Sequence, residues 1–135
     1  PEALDEILRM DAPLISNRRI TTREVEIGGR TIPAGEKITI LWASANRDEA
    51  EFGNPDSYCP HQNAGKNLLY GAGIHVCPGA PLARMELQVF MEEFLKQIAA
   101  IDIAEGEQPV RAMFPTGGFN HLPLIFHGGQ TPGTF

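Results

Sequence analysis

The sequence feature that most constrains this chain is the run YGAGIHVCPGAPLARMEL, residues 70–87. Two glycines and a histidine lead to Cys77, and a Pro-Gly pair separates that cysteine from a strongly helical sequence. Gly71 and Gly73 permit positive φ angles and let the backbone approach a flat ligand closely. A helix N-terminus stabilises a thiolate beside it. The run therefore predicts either an exposed thiolate on a ligand-binding loop, as a haem iron with an axial sulfur requires, or an inert buried cysteine at a helix start.

Apolar residues at helical spacing predict two main helices. The first spans residues 2–11 and ends before Pro13, which disfavours helix at the residue preceding it. The second is longer and runs from Ala80 to Ile98. Its predicted apolar side consists of Leu82, Met85, Val89, Phe90, Phe94 and Ile98. A short helix is also predicted within residues 44–51.

Short strands and irregular segments make up the rest of the chain. The stretch EVEIGGRTIPAGEKITILWA is predicted to form strands, including 25–27 and 38–42, with turns at Gly28-Gly29 and at IPAGE. Further strands are predicted around residues 101–104 and 122–126, with PTGGFN as a turn. Residues 52–69 lack periodicity, and an irregular segment of that length within a domain usually has a function. The final stretch GGQTPGTF is predicted to fray. This α+β inventory leaves the long helix little covered, so the chain is expected either to have an unusual fold or to be one part of a larger body. The start at Pro1 rather than Met favours the second alternative.

Composition and charge argue against several classes of protein. A net charge of −6 over 135 residues disfavours a nucleic-acid binder, because neutralising phosphates needs clustered Lys and Arg. No apolar run reaches membrane-spanning length, and no signal-peptide pattern opens the chain. Two cysteines do not form a disulfide scaffold, so a reducing, cytoplasmic location is expected.

The pattern from Tyr70 to Gly79, followed by Leu-Ala-Arg at 82–84, resembles the haem-binding signature of the cytochrome P-450 monooxygenases. That signature reads aromatic-Gly-x-Gly-x-His/Arg-x-Cys-x-Gly and then enters a helix with Leu-Ala-Arg. This chain departs from it mainly at Tyr70, where phenylalanine is usual. The resemblance implies haem b as the cofactor and Cys77 as the axial ligand of its iron. The cofactor contacts that it implies are Arg19, Tyr70, Gly71, Gly73, His75, Cys77 and Gly79.

Three further stretches resemble family motifs in the same order. Glu6-x-x-Arg9 is similar to the Glu-x-x-Arg motif, whose ion pair anchors the core beside the haem, although such a pair on a helix is otherwise usually solvated. Arg19 falls where the family places a propionate-binding arginine, with Arg18 as the competing choice. ANRDEAEFGNPDSY resembles the segment leading into the family's meander. There Gln62 is predicted to replace the arginine of the family's Glu-Arg-Arg triad, leaving Glu6 and Arg9 as a two-member pair.

The resemblance also implies a fold and an activity. Residues 1–135 are expected to form a single haem-binding segment, the C-terminal portion of the mainly-α cytochrome P-450 fold, with the Glu-x-x-Arg helix, small β-hairpins, the meander, the cysteine loop and a long proximal helix. The implied activity inserts one oxygen atom into a small organic substrate, with electrons from a ferredoxin or a flavoprotein reductase. No catalytic side chain is expected in this chain, because the family's proton-delivering helix lies upstream. The substrate contacts that it suggests are Leu14, Ile15, Gly118 and Phe119.

Three alternatives stay open. A truncated or remnant module would bind haem without monooxygenase activity and would self-associate through its uncovered apolar surface. The pairs Cys59-x-His61 and His75-x-Cys77 offer four potential zinc ligands, but their gaps are shorter than in usual zinc sites. A disulfide between Cys59 and Cys77 is the third alternative.

Overall fold

The computed structural model describes residues 2–63 and 65–129, which fold into one long helix, several short helices and paired strands. The helices are α1 (Glu2–Met10), α2 (Trp42–Ala45), α3 (Glu49–Phe52), α4 (Pro60–Asn63) and α5 (Ala80–Gln97), with a 3-10 turn at Gly73–His75. None of the described helices is long and apolar enough to cross a bilayer. The prediction of a frayed end falls mostly on residues 130–135, which lie outside the described residues.

The strands of the described residues form four antiparallel pairs. They are β1 (Ser16–Ile20) with β4 (Lys37–Leu41), β2 (Val25–Ile27) with β3 (Arg30–Ile32), β5 (Ile98–Ile103) with β8 (Leu124–Gly128), and β6 (Val110–Arg111) with β7 (Phe119–His121). The tight turn predicted between β2 and β3 is confirmed, because Gly28 and Gly29 have φ angles of 58° and 74°. Two consecutive positive φ angles produce the twist that a two-residue hairpin needs.

The interior of the described part is mostly polar. Its buried apolar residues are Ala12, Phe52, Pro55, Ala80 and Pro123, whereas its buried polar ones are Glu6, Arg9, Ser16, Thr21, Asn46 and Asn63. The only buried residues of α1 are Glu6 and Arg9. Conversely, the predicted apolar side of α5 faces outward, with Met85 57% and Phe90 60% exposed. The expectation that the long helix has little to cover it is therefore met within the described residues.

Several element boundaries differ from the sequence-based prediction. Strand β1 was not predicted, because SNRRI carries polar side chains at most positions and lacks strand-like alternation. Helix α4 lies inside the segment predicted as irregular, since Pro60 is well suited to a first helical position. Phe119 begins β7 rather than belonging to a turn, because its strand pairs with β6. Strand β5 starts at Ile98, immediately where α5 ends, and not at Ile101.

Candidate functional site

The loop before α5 presents Cys77 at the surface. The Cys77 amide donates to the carbonyl oxygen of Tyr70 at 2.8 Å, which closes the loop on itself. The Cys77 carbonyl accepts from the amide of Ala80 at 3.2 Å, at the first turn of α5. Gly71 and Gly73 have φ angles of 76° and 66°, as the sequence predicts for this loop. Cys77 is therefore exposed at a helix start, and the expectation of a buried cysteine is wrong.

Two glycines of the loop differ in what they permit. A Cβ at Gly71 would lie 3.4 Å from the carbonyl oxygen of His75, and the positive φ adds strain. Gly79 has φ −84° and ψ −2°, which any residue adopts, and a Cβ there would meet Cys77 Sγ at an ordinary 3.8 Å. The described chain alone therefore requires glycine at position 71 but not at position 79.

A cavity of about 540 Å³ opens beside the loop. Its lining residues are Leu8, Pro13, Leu14, Asn17, Arg19, Trp42, Leu69, Tyr70, Gly71, His75, Cys77, Ala83 and Leu87. The walls are mainly apolar, with a thiol, a guanidinium and an imidazole among them. We refer to this space as the Cys77 cavity.

Strand β1 brings Arg19, and not Arg18, to the Cys77 cavity. Successive side chains of a strand point to opposite faces, and here Arg18 is exposed while Arg19 is half-buried. The Arg19 guanidinium donates to the carbonyl oxygen of Arg18 at 2.9 Å. On the same wall, Trp42 Nε1 donates to Asn17 Oδ1 at 2.7 Å, which fixes the indole of Trp42.

The predicted substrate contacts lie in different places. Leu14 lines the Cys77 cavity. Ile15 and Gly118 line a separate cavity of about 230 Å³. The Phe119 ring lies under the Arg111 guanidinium at 4.3 Å and lines neither space. The structure thus brings one of these four residues to the cysteine.

Glu6 and Arg9 form a buried, bidentate ion pair. Arg9 Nε donates to Glu6 Oε2 at 2.8 Å and Arg9 Nη2 to Glu6 Oε1 at 2.9 Å. Their side chains are 2% and 0% exposed, so the usual solvated pair of a helix surface does not apply here. Arg9 also donates to the carbonyl oxygens of Asn46 at 2.6 Å and Pro55 at 2.8 Å. The arginine therefore ties α1 to two distant segments.

The residue predicted to accompany the Glu6–Arg9 ion pair is wrong by one position. Gln62 is exposed, whereas Asn63 is buried and donates from Nδ2 to Glu6 Oε1 at 2.7 Å. The short helix α4 turns Asn63 inward, because neighbouring residues of a helix point in different directions. The Arg9 hydrogen bond, the Cys59 amide and Asn63 together hold the pKa of Glu6 at about 2, against the opposing effect of burial. The ion pair thus has a neutral third member.

A pair of asparagines connects this ion pair to the cysteine loop, and sequence reasoning missed it. Asn46 Nδ2 donates to Asn67 Oδ1 at 3.2 Å. The amide of Leu68 donates to Asn46 Oδ1, and the amide of Leu69 to Asn67 Oδ1, each at 2.8 Å. Asn67 Nδ2 donates to the carbonyl oxygen of Asp5 at 2.8 Å. Asn67 lies in the segment predicted as irregular and Asn46 in the predicted short helix. Asparagine is an ordinary residue in turns and at helix ends, so nothing in the sequence marked these two.

The zinc and disulfide alternatives receive no support. Both cysteines are free. Within residues 2–63 and 65–129, no group of three or more His, Cys, Asp or Glu side chains could hold a metal ion. His61 instead contacts Glu2, with Nδ1 and Oε2 2.6 Å apart.

Known proteins match nearly the whole chain. The sequence model described as Cytochrome P450 matches residues 1–119. The chain belongs to the cytochrome P450 family. Cytochrome P450 119 of Sulfurisphaera tokodaii is 40% identical over 107 residues, which are 79% of this chain and 29% of that protein. Cyclomarin C epoxidase of Salinispora arenicola is 40% identical over 103 residues, 76% of this chain and 26% of that protein.

Solved structures confirm the fold class. CYP109Q5 from Chondromyces apiculatus is 36% identical and has a TM-score of 0.85 over 96% of this chain and 33% of its own. This cytochrome P450 chain therefore has the fold of one part of the family, and it spans about a third of the length of that relative. The family consists of haem-thiolate monooxygenases, so membership implies haem iron as the cofactor.

The residues at the Cys77 cavity fit that cofactor. An iron porphyrin needs an axial sulfur, apolar contacts for its flat ring and donors for its two carboxylates. The lining of the Cys77 cavity contains one thiol, mainly apolar walls, and the donors Arg19 and His75. Gly71 lacks a side chain at the wall, where a Cβ would already be close to the backbone.

Proposed function

We propose that this chain is the haem-binding segment, residues 1–135, of a cytochrome P450 that inserts one oxygen atom into a small organic substrate. Cys77 would be the axial ligand of haem b, and Arg19 and His75 would bind its propionates. The supporting observation is that Cys77, Arg19 and His75 line one cavity, although they come from a loop and a distant strand. When bound, the haem supplies dioxygen activation, and a thiolate ligand favours cleavage of the O–O bond.

The chain's own residues would prepare this chemistry in three ways. The N-terminus of α5 stabilises negative charge on the Cys77 sulfur, since the unpaired amides of a helix start are partially positive. Arg19 and His75 provide donors for the carboxylates. Leu8, Leu14 and Leu87 would provide apolar contacts for the flat ring.

The proposal also covers proton delivery and the electron-transfer partner. None of the described residues lining the Cys77 cavity carries a carboxylate, so we assign proton delivery to residues outside this chain. Electrons would come from a ferredoxin or a flavoprotein reductase at the face where Cys77 is exposed. A cytoplasmic location remains a prediction.

Substitution of the two proposed propionate donors tests the assignment. We expect His75→Leu and Arg19→Leu each to raise the rate of haem loss about ten- to a hundredfold, because a charge-assisted hydrogen bond contributes about 1.5–3 kcal/mol. Arg18→Leu is the matched control, since Arg18 is exposed on the other face of the same strand and does not line the cavity. Haem transfer to apomyoglobin measures the rate, and equal rates in all three variants would refute both roles.

The remnant module is the second candidate, and the outward-facing apolar side of α5 favours it for the isolated 135 residues. Such a chain would hold haem loosely and consume oxygen without forming product. Oxygen uptake with product analysis separates the two, because coupled product formation by the isolated chain excludes the remnant.

A further inference from the structure

The loop that carries Cys77 is attached to helix α1 on both sides, and both attachments meet at Asp5. Before the loop, Asn67 Nδ2 donates to the main-chain oxygen of Asp5 at 2.8 Å. After it, Arg84 Nε donates to the Asp5 carboxylate, at 2.8 Å from Oδ2 and 3.1 Å from Oδ1. One residue of α1 thus holds the segment that enters the loop and the helix that leaves it.

Arg84 also contacts the loop itself. Its guanidinium carbon lies 4.5 Å from the centre of the Tyr70 ring, within the range of a cation–π interaction. The main-chain oxygen of Tyr70 in turn accepts from the Cys77 amide at 2.8 Å. Contacts therefore run without a break from Asp5 through Arg84 and Tyr70 to the cysteine.

The electrostatics of Tyr70 agree with this connection. Burial raises the pKa of the Tyr70 phenol most, the Asp5 carboxylate raises it further, and Arg84 lowers it. Asp5 and Arg84 therefore act on the Tyr70 phenol through their charges, in addition to the contacts described above.

A second cavity shows on which side of the loop the contact lies. It measures about 430 Å³ and shares Tyr70, Gly71 and Cys77 with the Cys77 cavity. Arg84 and Asn67 line only this second space. The loop therefore borders both cavities, and Arg84 lies at the one that Arg19 does not line.

We propose that Asp5 and Arg84 are positioning residues that act through Tyr70 to fix the Cys77 sulfur at the edge of the Cys77 cavity. This rests on the proposed function of Cys77 as a haem ligand. Neither residue touches the cofactor in this proposal. Because the Asp5 and Arg84 side chains are 18% and 44% exposed, their ion pair adds little to global stability, and its effect is local to the loop.

The test compares Asp5→Asn and Arg84→Gln with a matched control. Asp11→Asn breaks a similar pair, since Arg111 lies 2.8 Å from Asp11 and over the Phe119 ring at 4.3 Å, away from the loop. Amide hydrogen exchange of Cys77 in deuterium oxide, without haem, reports loop opening. We expect roughly two- to fivefold faster exchange in both loop variants and no change in the control. Arg84→Lys, which keeps a positive charge beside the Asp5 carboxylate and the Tyr70 ring, should retain more protection than Arg84→Gln.

A second readout separates positioning from charge. In the reduced protein under carbon monoxide, the absorption band of the thiolate-ligated complex should decay faster in both loop variants than in the parent chain. Opposite effects of the two substitutions on the rate of band loss would show a pure charge effect and overturn the proposal. Unchanged exchange of the Cys77 amide in both variants would overturn it as well. If the parent protein lacks the band altogether, the proposed haem ligation fails, while amide exchange still decides whether Asp5 and Arg84 hold the loop.

Discussion

At the scale of single residues, the Glu6 carboxylate lies buried against Arg9, and its pKa falls to about 2 from an ordinary 4.5. A carboxylate whose pKa is lower in the folded state stabilises the fold at every pH above its unfolded pKa. That contribution disappears as the pH falls from about 4.5 to about 2. The difference corresponds to about 3 kcal/mol of unfolding free energy.

Urea unfolding at pH 7 and at pH 3 measures the part of this contribution that is lost above pH 3. We expect the parent chain to lose stability across that interval, and we expect Glu6→Gln to be less stable at pH 7 and less sensitive to acid. Glu107→Gln, at an exposed carboxylate beside His121, serves as the control. Parallel pH profiles for the parent chain and Glu6→Gln would contradict the lowered pKa.

How far single residues could be predicted depended on whether a motif contained them. The resemblance indicated His75 and Arg19 as cofactor contacts, and both line the same cavity as Cys77, while their roles stay predictions. The sequence misplaced the third partner of Glu6 by one position, because the direction of a side chain depends on where a short helix begins. Asn46 and Asn67 were missed, because their hydrogen bonds join segments distant in sequence.

At the scale of elements, the loop from Tyr70 to Cys77 needs glycine at position 71 for two reasons: its φ of 76° and the nearby carbonyl oxygen of His75. We expect Gly71→Ala to destabilise the chain by about 1 kcal/mol and to weaken haem binding as well. Gly35→Ala is the matched control, since Gly35 has φ 84° with open space around it. Equal haem affinity in the two variants would show that Gly71 is needed only for the backbone conformation of the loop and not for haem binding.

The elements predicted best were those with a strong local pattern. Helices α1 and α5 carry apolar residues at helical spacing, and the β2–β3 hairpin carries its Gly-Gly turn. Strands β1, β6 and β7 were missed, because they are short or polar and are held by partners distant in sequence. Local propensity contains no information about such pairing.

At the scale of the whole molecule, the described residues leave a continuous apolar surface on α5 and the neighbouring strand β8. Phe90 stacks on Phe94 at 5.5 Å, and Phe94 meets Phe126 edge-on at 5.6 Å, yet Phe90 and Phe126 are 60% and 51% exposed. Apolar patches of this kind are normally covered by another part of a protein. The solved structures that match this chain are about three times as long as it is, so they contain further residues beyond the matched part.

The isolated 135-residue chain is therefore expected to self-associate. Light scattering should show a molecular mass that rises with concentration, and Phe90→Asp should reduce this rise. Glu92→Asp, on the same helix but without loss of apolar surface, should not. A concentration-independent monomer would show that the exposed aromatic side chains do not drive association.

The central claim is that Cys77 ligates haem iron, and the carbonyl difference spectrum of the reduced protein tests it most directly. Cys77→Ser and Cys59→Ser form a matched pair, since both remove one thiol and only Cys77 lines the cavity. We expect the parent chain and Cys59→Ser to show the long-wavelength band that defines the family, and Cys77→Ser to lack it. An unchanged band in Cys77→Ser would contradict the account.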